Sequence, residues 1–400
     1  MEVKPGYKKT EVGVIPEDWD VKQLREFSVI ATGNTPPTRD PASYGDEFLF
    51  VSPVDLGERK QVTITEKRLS KKGFAISRHF PKDSILFVCI GSTIGKCGIA
   101  STELTSNQQI NAIFPSPAFR ADYLYYFICS IAPRIKALAG EQAVPIVNKT
   151  HFSETAVALP LLPEQRAIAE VLGDVDALLG SLEKLIAKKR DLKQAAMQQL
   201  LTGKKRLPGF SGEWEVKRFG EITFPRNERI DPRRSGIQEF CVELEHIEAG
   251  TGNLVGSNST GANSSLKSVF RKGDVLFGKL RAYLRKYWLA DRAGVCSTEI
   301  WVFASGARLI MSAYLFQLVQ SDHFIESAST AYGTHMPRSD WNVVKNYELR
   351  LPSLPEQTAI AEVLSDMDAE LAALEQRLAK TRDLKQGLMQ ELLTGKTRLV

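Results

Sequence analysis

The residues best suited to chemistry in this chain are basic and aromatic, and they cluster in residues 267–292, KSVFRKGDVLFGKLRAYLRKYWLADR. This stretch holds eight lysines or arginines against two acidic residues. Such a density of cations with interleaved aromatic rings is typical of a surface that contacts phosphates, and arginine also pairs with guanine edges in the major groove. A solvated pair of basic strands is the alternative that composition leaves open. The candidate nucleic-acid contacts here are Lys279, Arg281, Tyr283, Arg285 and Lys286.

Two other regions carry polar side chains suited to phosphates or base edges. In CIGSTIGKCGIA and TSNQQINAI, small residues let a backbone approach a ligand closely, and the candidates are Ser92, Thr93, Lys96, Asn107 and Gln108. The turn-rich loop AYGTHMPRSDW adds Thr334, His335 and Arg338. A groove-binding role and ordinary loop chemistry are equally compatible with that loop.

Motifs for catalysis are near misses. GNTPPTRD, residues 33–40, is similar to the Asn-Pro-Pro-aromatic motif of amino-methyltransferases, but Thr35 separates Asn34 from the prolines and Thr38 replaces the aromatic residue, which favours a turn. VELEHIE offers Glu243, Glu245 and His246 as possible catalytic groups, but the alternation of side chains along a strand is the simpler interpretation of this segment. The sequence has no G-x-x-x-x-G-K-[ST] loop for ATP, and its histidines and cysteines lack metal-ligand spacing. We therefore predict no catalytic residue, cofactor or metal site.

Composition sets broad limits. The chain has 400 residues, of which 43% are hydrophobic and 25% charged, as expected for a soluble globular protein of two or more domains. A net charge of +5 permits a nucleic-acid partner without requiring one. The sequence contains neither an apolar run long enough to cross a membrane nor a signal peptide. A cytoplasmic protein without a membrane partner is the expectation.

Residues 159–207 and 351–399 are two copies of one segment, with 34 of 49 aligned positions identical. Each copy has a proline (Pro163, Pro355) suited to a first helical turn and a glycine (Gly203, Gly395) suited to a helix end. Between them, apolar residues follow a 4-3-4-3-4 spacing that predicts a coiled-coil seam in a helix of roughly 57 Å. Ordinary core helices are the alternative, which this length disfavours. The seam residues are Ile168, Leu172, Val175, Leu179, Leu182 and Ile186, and Ile360, Leu364, Met367, Leu371, Leu374 and Leu378.

A weaker repeat extends the duplication around the chain. EDWDVKQL at Trp19 is similar to GEWEVKRF at Trp214, 195 positions later, so the segment that follows the first helix resembles the N-terminal segment. We therefore predict a cyclic repeat, with the N-terminal segment near the end of the second helix and a pseudo-two-fold molecule. The connectivity favours antiparallel pairing of the helices.

The globular segments also resemble each other. Each has a strand-like run (DSILFVCI, GDVLFGKL), a helical stretch (ADYLYYFICSI, SAYLFQLVQSD), a loop proline (Pro145, Pro337) and a final strand-like piece (TAVALPLLP, NYELRLPSLP). We predict an α+β fold, in which two similar α/β domains are separated by two long helices that form an antiparallel coiled coil. The predicted domains are residues 1–160 and 207–352, and the predicted helical segments are residues 161–206 and 353–400.

The paired LPEQ…AIAEVL…RDLKQ…LLTGK blocks, each preceded by a variable domain, resemble those of the specificity subunits of type I restriction–modification systems. The resemblance covers essentially the whole chain. GSTIGK and GDVLFGKLRAYLRK also look like recurrent family segments. Lys82-Asp83-Ser84 departs from Lys272-Gly273-Asp274 of the second domain, so the turn before the first domain's strand is expected to differ.

The resemblance implies two target-recognition domains, each reading one half of a bipartite site in double-stranded DNA, with the coiled coil as a spacer. It implies a non-catalytic subunit that recruits two methyltransferase (M) subunits, which carry S-adenosylmethionine, and ATP-driven restriction (R) subunits in the full complex. The residues themselves leave two other functional classes open. They are a self-contained nuclease or methyltransferase, and a coiled-coil scaffold that never contacts DNA.

Overall fold

The computed structural model of the chain describes residues 4–140, 143–261, 264–304, 309–330 and 337–399. The chain divides into a first unit, Met1–Leu182 with Arg377–Val400, and a second unit, Glu183–Gln376. Both units combine helices with sheets, which confirms the predicted α+β class. Among the described residues, none of the helices combines the length and the apolar character needed to cross a membrane.

The first unit is built around a mixed sheet. Its strands are β1 (Tyr7–Thr10), β2 (Gly13–Pro16), β3 (Asp20–Gln23), β4 (Ile30–Thr32), β5 (Tyr44–Val51), β6 (Gln61–Val62), β7 (Lys67–Leu69), β8 (Ile85–Val88), β9 (Cys97–Ala100), β10 (Thr105–Ser106), β11 (Ile110–Ile113) and β12 (Ala156–Leu159). Its helices are α1 (Leu24–Phe27), α2 (Lys71–Ala75), α3 (Ala121–Lys136), α4 (Lys149–Ser153) and the start of α5 (Leu162–Leu200). The main sheet has the order β4-β11-β8-β9-β6.

Burial on both faces explains the apolar runs of this sheet. Every residue of β8, β9 and β11 is buried. A strand covered on both sides reads as a continuous apolar run rather than an alternating one. The predicted strand in DSILFVCI and the predicted helix in ADYLYYFICSI are confirmed as β8 and α3.

The second unit repeats this plan with two main sheets, of order β14-β16-β19-β15 and β18-β17-β20, and the three-stranded one contains the counterparts of β9, β8 and β11. Its strands are β13 (Glu215–Arg218), β14 (Arg229–Ile230), β15 (Cys241–Val242), β16 (Lys267–Phe270), β17 (Val275–Gly278), β18 (Tyr287–Leu289), β19 (Gly294–Ser297), β20 (Ile300–Phe303) and β21 (Glu348–Leu351). Its helices are α6 (Phe219–Ile222), α7 (Pro232–Ser235), α8 (Ser312–Gln320), α9 (Asp322–Ser329), α10 (Trp341–Val344) and the start of α11 (Leu354–Leu392). The predicted strands in GDVLFGKL and NYELRLPSLP are confirmed, as is the helix in SAYLFQLVQSD.

Two local predictions are wrong. VELEHIE is not a strand, because β15 ends at Val242 and Leu244–His246 forms a 3-10 turn in which the Glu243 N–H donates to His246 Nδ1 at 2.9 Å. The turn before β8 does not differ from its counterpart. Asp83 (φ 67°) donates its N–H to Ala100 O at 2.8 Å, as Gly273 (φ 89°) does to Ala290 O at 2.7 Å. Aspartate is among the few residues that tolerate this left-handed backbone.

The duplicated segments form the long helices α5 and α11, each 39 residues long. Both end before a glycine in the left-handed region, Gly203 (φ 71°) and Gly395 (φ 68°), as their caps predict. All of the predicted seam residues are buried or half-buried.

Antiparallel pairing of the helices is visible inside each unit. In the second unit, Lys189 pairs with Glu370 at 2.6 Å and Lys193 with Asp368 at 2.5 Å, so the residue number falls along α11 as it rises along α5. In the first unit, the last part of α11 lies against the start of α5, where Lys385 pairs with Asp176 at 2.6 Å. The pairs Lys193–Asp368 and Lys385–Asp176 occupy equivalent positions of the repeat.

At the start of the long helix of each unit, a buried glutamate accepts hydrogen bonds from residues that are distant in the sequence. In the first unit, Glu164 is 1% exposed and accepts hydrogen bonds from Trp19 Nε1 at 3.0 Å and Arg398 Nη2 at 2.8 Å. Arg398 also pairs with Asp18 at 2.8 Å, and its hydrogen bond lowers the pKa of that carboxyl below its usual value. The N-terminal segment therefore meets the end of α11, which confirms the cyclic repeat.

The second unit has the matching cluster. Glu356, also 1% exposed, accepts from Trp214 Nε1 at 3.0 Å and from Arg206 Nη2 at 2.7 Å. Because a buried carboxylate is costly unless it is paired and hydrogen-bonded, these clusters fix where the first turn of each helix lies in its unit.

Candidate nucleic-acid interface

The basic stretch of the second unit folds as a hairpin between β17 and β18, with residues 279–286 as its loop. Gly278 N–H donates to Lys286 O at 2.8 Å and closes the loop, which contains a 3-10 turn at Ala282–Leu284. Lys279 N–H donates to Glu299 O at 3.0 Å, which holds the loop against the segment before β20. The loop is therefore built on a rigid sheet rather than on a free segment.

A second segment packs along this loop. Arg281 N–H donates to Pro337 O at 2.9 Å, Ser339 N–H donates to Lys279 O at 2.8 Å, and Leu280 forms an isolated bridge with Arg338. The fold thus brings Arg338 beside Lys279 and Arg281, which the sequence analysis had assigned to a different candidate region. Thr334 and His335 lie outside the described residues.

The candidate side chains differ in how much of their hydrogen-bonding capacity is free. Arg281 and Tyr283 are exposed, and no described residue forms a hydrogen bond or ion pair with the Arg281 guanidinium. Arg285 pairs with Asp322 and donates to Gln320 O at 3.2 Å. Lys286 Nζ donates to two backbone carbonyls, Leu244 O at 2.6 Å and Ile247 O at 2.9 Å.

Arg338 and Lys279 lie between these extremes. Arg338 is exposed but pairs with Glu299 at 2.9 Å, and Lys279 is half-buried. Arg281 and Tyr283 are therefore the predicted contacts of the second unit whose side chains are most available to a ligand. The assignment of these residues to DNA contact stays a prediction.

The first unit builds the same loop from different residues. Val88 N–H donates to Lys96 O at 2.9 Å and closes the hairpin of β8 and β9, and Gly91 N–H donates to Pro145 O at 3.0 Å. Cys89 N–H donates to Gln109 O at 2.8 Å. Each of these bonds has its counterpart in the second unit 190 to 192 positions later (88 and 278, 91 and 281, 145 and 337). Ser92 is exposed on this loop, while Thr93 and Lys96 are half-buried.

Asn107 and Gln108 lie in the turn that leads into β11, beside that loop. The Asn107 side chain donates to Gln109 Oε1 at 3.0 Å, and Gln109 Nε2 reaches Ile90 O at 3.4 Å. Gln108 is exposed and accepts from Thr35 Oγ1 at 2.7 Å. The loop and turn candidates of the first unit are thus adjacent.

The structure adds basic residues that the sequence analysis did not single out. Arg229 and Arg233 line a surface depression together with Lys279 and Thr298, and both arginines are exposed. Their segment, ERIDPRR, is locally rich in arginine, which is the signal that would have found them. Asp231 lines the same depression, so three cations stand beside one carboxylate there, and the net positive charge suits a polyanion.

The near miss for a methyltransferase motif, residues 33–40, is an irregular connection that contains the predicted turn, at Thr38 and Arg39, where Asp40 N–H donates to Pro37 O at 3.1 Å. The Asn34 side chain is occupied, because its Oδ1 accepts from Arg78 N–H at 2.6 Å and its Nδ2 donates to Ile76 O at 3.4 Å. Asp40 then caps the turn Pro41–Ser43, as Asp231 caps Pro232–Ser235 in the second unit.

The cysteine thiols and the possible metal ligands show no arrangement for catalysis among the described residues. The cysteines are free, and burial raises the pKa of Cys89 to about 12 and of Cys241 to about 11, so these thiols stay protonated near neutral pH. Among the described residues, no group of histidine, cysteine, aspartate or glutamate side chains is arranged to hold a metal ion.

Sequence comparison defines the class. Residues 16–190 and 212–381 each match the model of the type I restriction modification DNA specificity domain, so the chain belongs to this family. Over 423 aligned positions it is 24% identical to the type I restriction enzyme MjaVIII specificity subunit of Methanocaldococcus jannaschii, with 96% of this chain and 94% of the relative covered. It is 28% identical over 269 residues to the MjaIX specificity subunit of the same organism, with 61% of each covered.

Solved structures share the fold. A chain from a study of complex assembly and conformational transition in a type I R-M system matches with a TM-score of 0.58 and 16% identity, covering 96% of this chain and 99% of that chain. The type I S subunit from M. genitalium matches with a TM-score of 0.57 and 15% identity, covering 98% of each chain. At these identities the likeness shows the fold.

Proposed function

We propose that this specificity subunit reads a bipartite sequence in double-stranded DNA, one half with each unit. The observation that supports this most directly is the pair of equivalent hairpin loops. Their backbone hydrogen bonds match one for one, while their side chains differ, as with Thr93 and Tyr283. A shared backbone with different exposed side chains suits two readers of two different base sequences.

Phosphate contacts supply sequence-independent affinity in this proposal. Arg229, Arg233 and Lys279 surround one depression on the second unit, and neutralising several phosphates makes binding fall steeply with salt. The hairpin loops then supply base contacts, which carry the sequence information.

Two methyltransferase subunits dock on the paired helices in this proposal, and restriction subunits join in the full complex. In the first unit, Leu178 and Leu384 are 39% and 56% exposed on the helices, and in the second unit Leu185 and Leu192 are 39% and 47% exposed. Three of these leucines are one heptad apart on α5, and Leu384 is the repeat equivalent of Leu192, 192 positions later. Leu178 and Leu185 correspond to Glu370 and Arg377 on α11, so the exposed apolar position that repeats is the pair Leu192 and Leu384, which offers one such side chain to each of two copies of the same partner.

Catalysis belongs to the partners in this proposal. S-adenosylmethionine binds the methyltransferase subunits and ATP the restriction subunits, and this chain supplies recognition only. The occupied Asn34 side chain supports this division, because an asparagine that accepts from Arg78 N–H cannot serve a target base without breaking its own loop.

The docking face makes a prediction of stoichiometry. Leu192→Glu and Leu384→Glu should each remove one of the two methyltransferase subunits, because a charge replaces a large apolar side chain in a desolvated contact. Native mass spectrometry of the purified complex should show one methyltransferase per chain for each single variant and none for the double variant. Ala187→Glu and Ala379→Glu, at exposed equivalent positions about 140° around the same helices from Leu192 and Leu384, are the matched controls and should keep two.

The whole proposal is tested by sequencing methylated DNA from cells that express this chain with the methyltransferase subunit of its own system. The expected result is one motif of two specific halves around a nonspecific gap. Methylation of one uninterrupted motif would refute bipartite reading. Binding of labelled S-adenosylmethionine by the isolated chain would refute the division of labour.

A further inference from the structure

Among the described residues, three that are not glycine have a backbone φ in the left-handed region: Asp83 (67°), Arg281 (53°) and Arg285 (53°). Each stands where the other unit has glycine. The counterparts are Gly273 (89°), Gly91 (97°) and Gly95 (103°), and each pair is 190 positions apart. The left-handed positions are therefore a shared property of the fold, and glycine is the residue that adopts them without cost.

For two of these three residues, the chain itself explains why a residue other than glycine occupies a left-handed position. Asp83 belongs to a residue type that tolerates the left-handed region. Arg285 is held by its ion pair with Asp322 and its hydrogen bond to Gln320 O, so its side chain stabilises the second unit and offsets the strain. Arg281 has neither explanation, because it is a long side chain, exposed, with no described partner.

The Arg281 backbone is held firmly although its side chain is free. Its N–H donates to Pro337 O at 2.9 Å, its carbonyl accepts from Leu284 N–H at 2.8 Å, and the preceding Leu280 bridges to Arg338. The guanidinium thus starts from a fixed point on a rigid sheet. Phosphate neutralisation does not need this precision, and the proposed function assigns it to Lys279, Arg229 and Arg233, which are not in the left-handed region. Bidentate pairing with a base edge does need a fixed donor.

We propose that Arg281 is a specificity-determining residue, whose guanidinium pairs with the O6 and N7 acceptors of one guanine in the half-site read by the second unit. The inference rests on the proposed function and adds to it one residue, one base and a reason for retained backbone strain. In the first unit, Gly91 provides no side chain at this point of the loop, so the two units cannot read this position alike.

The test replaces Arg281 with the residue of the other unit. Arg281→Gly should leave the melting temperature of the complex equal or higher, because glycine relieves the strain. Methylation sequencing should then show the same gap and the same first half-site, while preference for one G·C pair in the second half falls by about tenfold or more. Arg281→Lys should also relax that position, because lysine lacks the planar fork.

Controls separate the alternatives. Asp83→Gly relieves the equivalent class of strain in the first unit and should leave the motif unchanged. A uniform loss of methylation at all sites in Arg281→Gly, restored by Arg281→Lys, would identify a phosphate contact and overturn the proposal, as would an unchanged motif in both variants. Failure of the proposed function is distinguishable, because the unaltered chain would then direct no bipartite methylation at all.

Discussion

Replacing Glu356 with alanine should destabilise the second unit by about 3 kcal/mol. The variant leaves the Trp214 indole N–H and the Arg206 guanidinium without their acceptor, and breaking a buried pair costs more than the pair itself contributes. Arg206 keeps 27% of its side chain exposed, so water compensates in part and the expected loss lies at the low end of the usual range. Glu356→Gln, which retains an acceptor but not the charge, should lose less.

Hydrogen exchange measured along the chain localises the effect. Amides of β21 and α10 in the second unit should exchange faster, while those of β8 and β11 in the first unit should not change. Glu362→Ala, at an exposed position of the same helix, is the matched control and should stay within about 0.5 kcal/mol. Equal stability of the Glu356 and Glu362 variants would show that the buried cluster does not determine stability. Glu164→Ala should produce the reciprocal pattern, with the loss in the first unit.

Inserting seven residues into α5 after Leu182 and seven into α11 after Gln376 should lengthen the gap between half-sites by about three base pairs. Seven helical residues add ~10.5 Å, and DNA rises ~3.4 Å per base pair. A whole heptad preserves the phase of the seam, and the chosen points leave every contact within a unit intact. This expectation follows from the proposal that the helices act as a spacer.

Methylation sequencing reads the outcome directly. The half-site sequences should be unchanged, because the hairpin loops and their supporting sheets are not touched. Insertion of two residues in each helix is the control, since it rotates the seam by about 200° to the opposite face of the helix and should abolish assembly. A changed half-site with an unchanged gap would contradict the spacer role.

The repeat made much of the helical architecture predictable. Prolines, glycines and heptad spacing located both long helices, and the recurrence of a tryptophan segment indicated that the N-terminal segment meets the end of α11. The buried ion pairs that hold these segments together were not predictable from the sequence. Glu164 and Glu356 looked like ordinary acidic residues in a first helical turn, and only the fold shows them buried against Arg398 and Arg206.

The candidate interface was predictable by composition but not by geometry. Basic residues in one stretch look equivalent in sequence, yet Arg285 and Lys286 use their donors within the unit and Arg281 does not. Backbone conformation decides such differences, and an arginine carries no sequence signal for a left-handed φ. Alternation also misled at VELEHIE, because the Glu243 N–H bonds to a side chain and leaves the strand pattern.

The division of the chain into two units has a consequence for the order in which the units fold during synthesis. The second unit is one continuous stretch, Glu183–Gln376, whereas the first unit is completed by Arg377–Val400. Leu392 and Leu393 belong to the core of the first unit, and Arg398 compensates the buried charge of Glu164. Domains generally fold as their residues leave the ribosome. The first unit, although its synthesis begins earlier, is therefore completed after the second, because its apolar surface is covered only when residues 377–400 have been made.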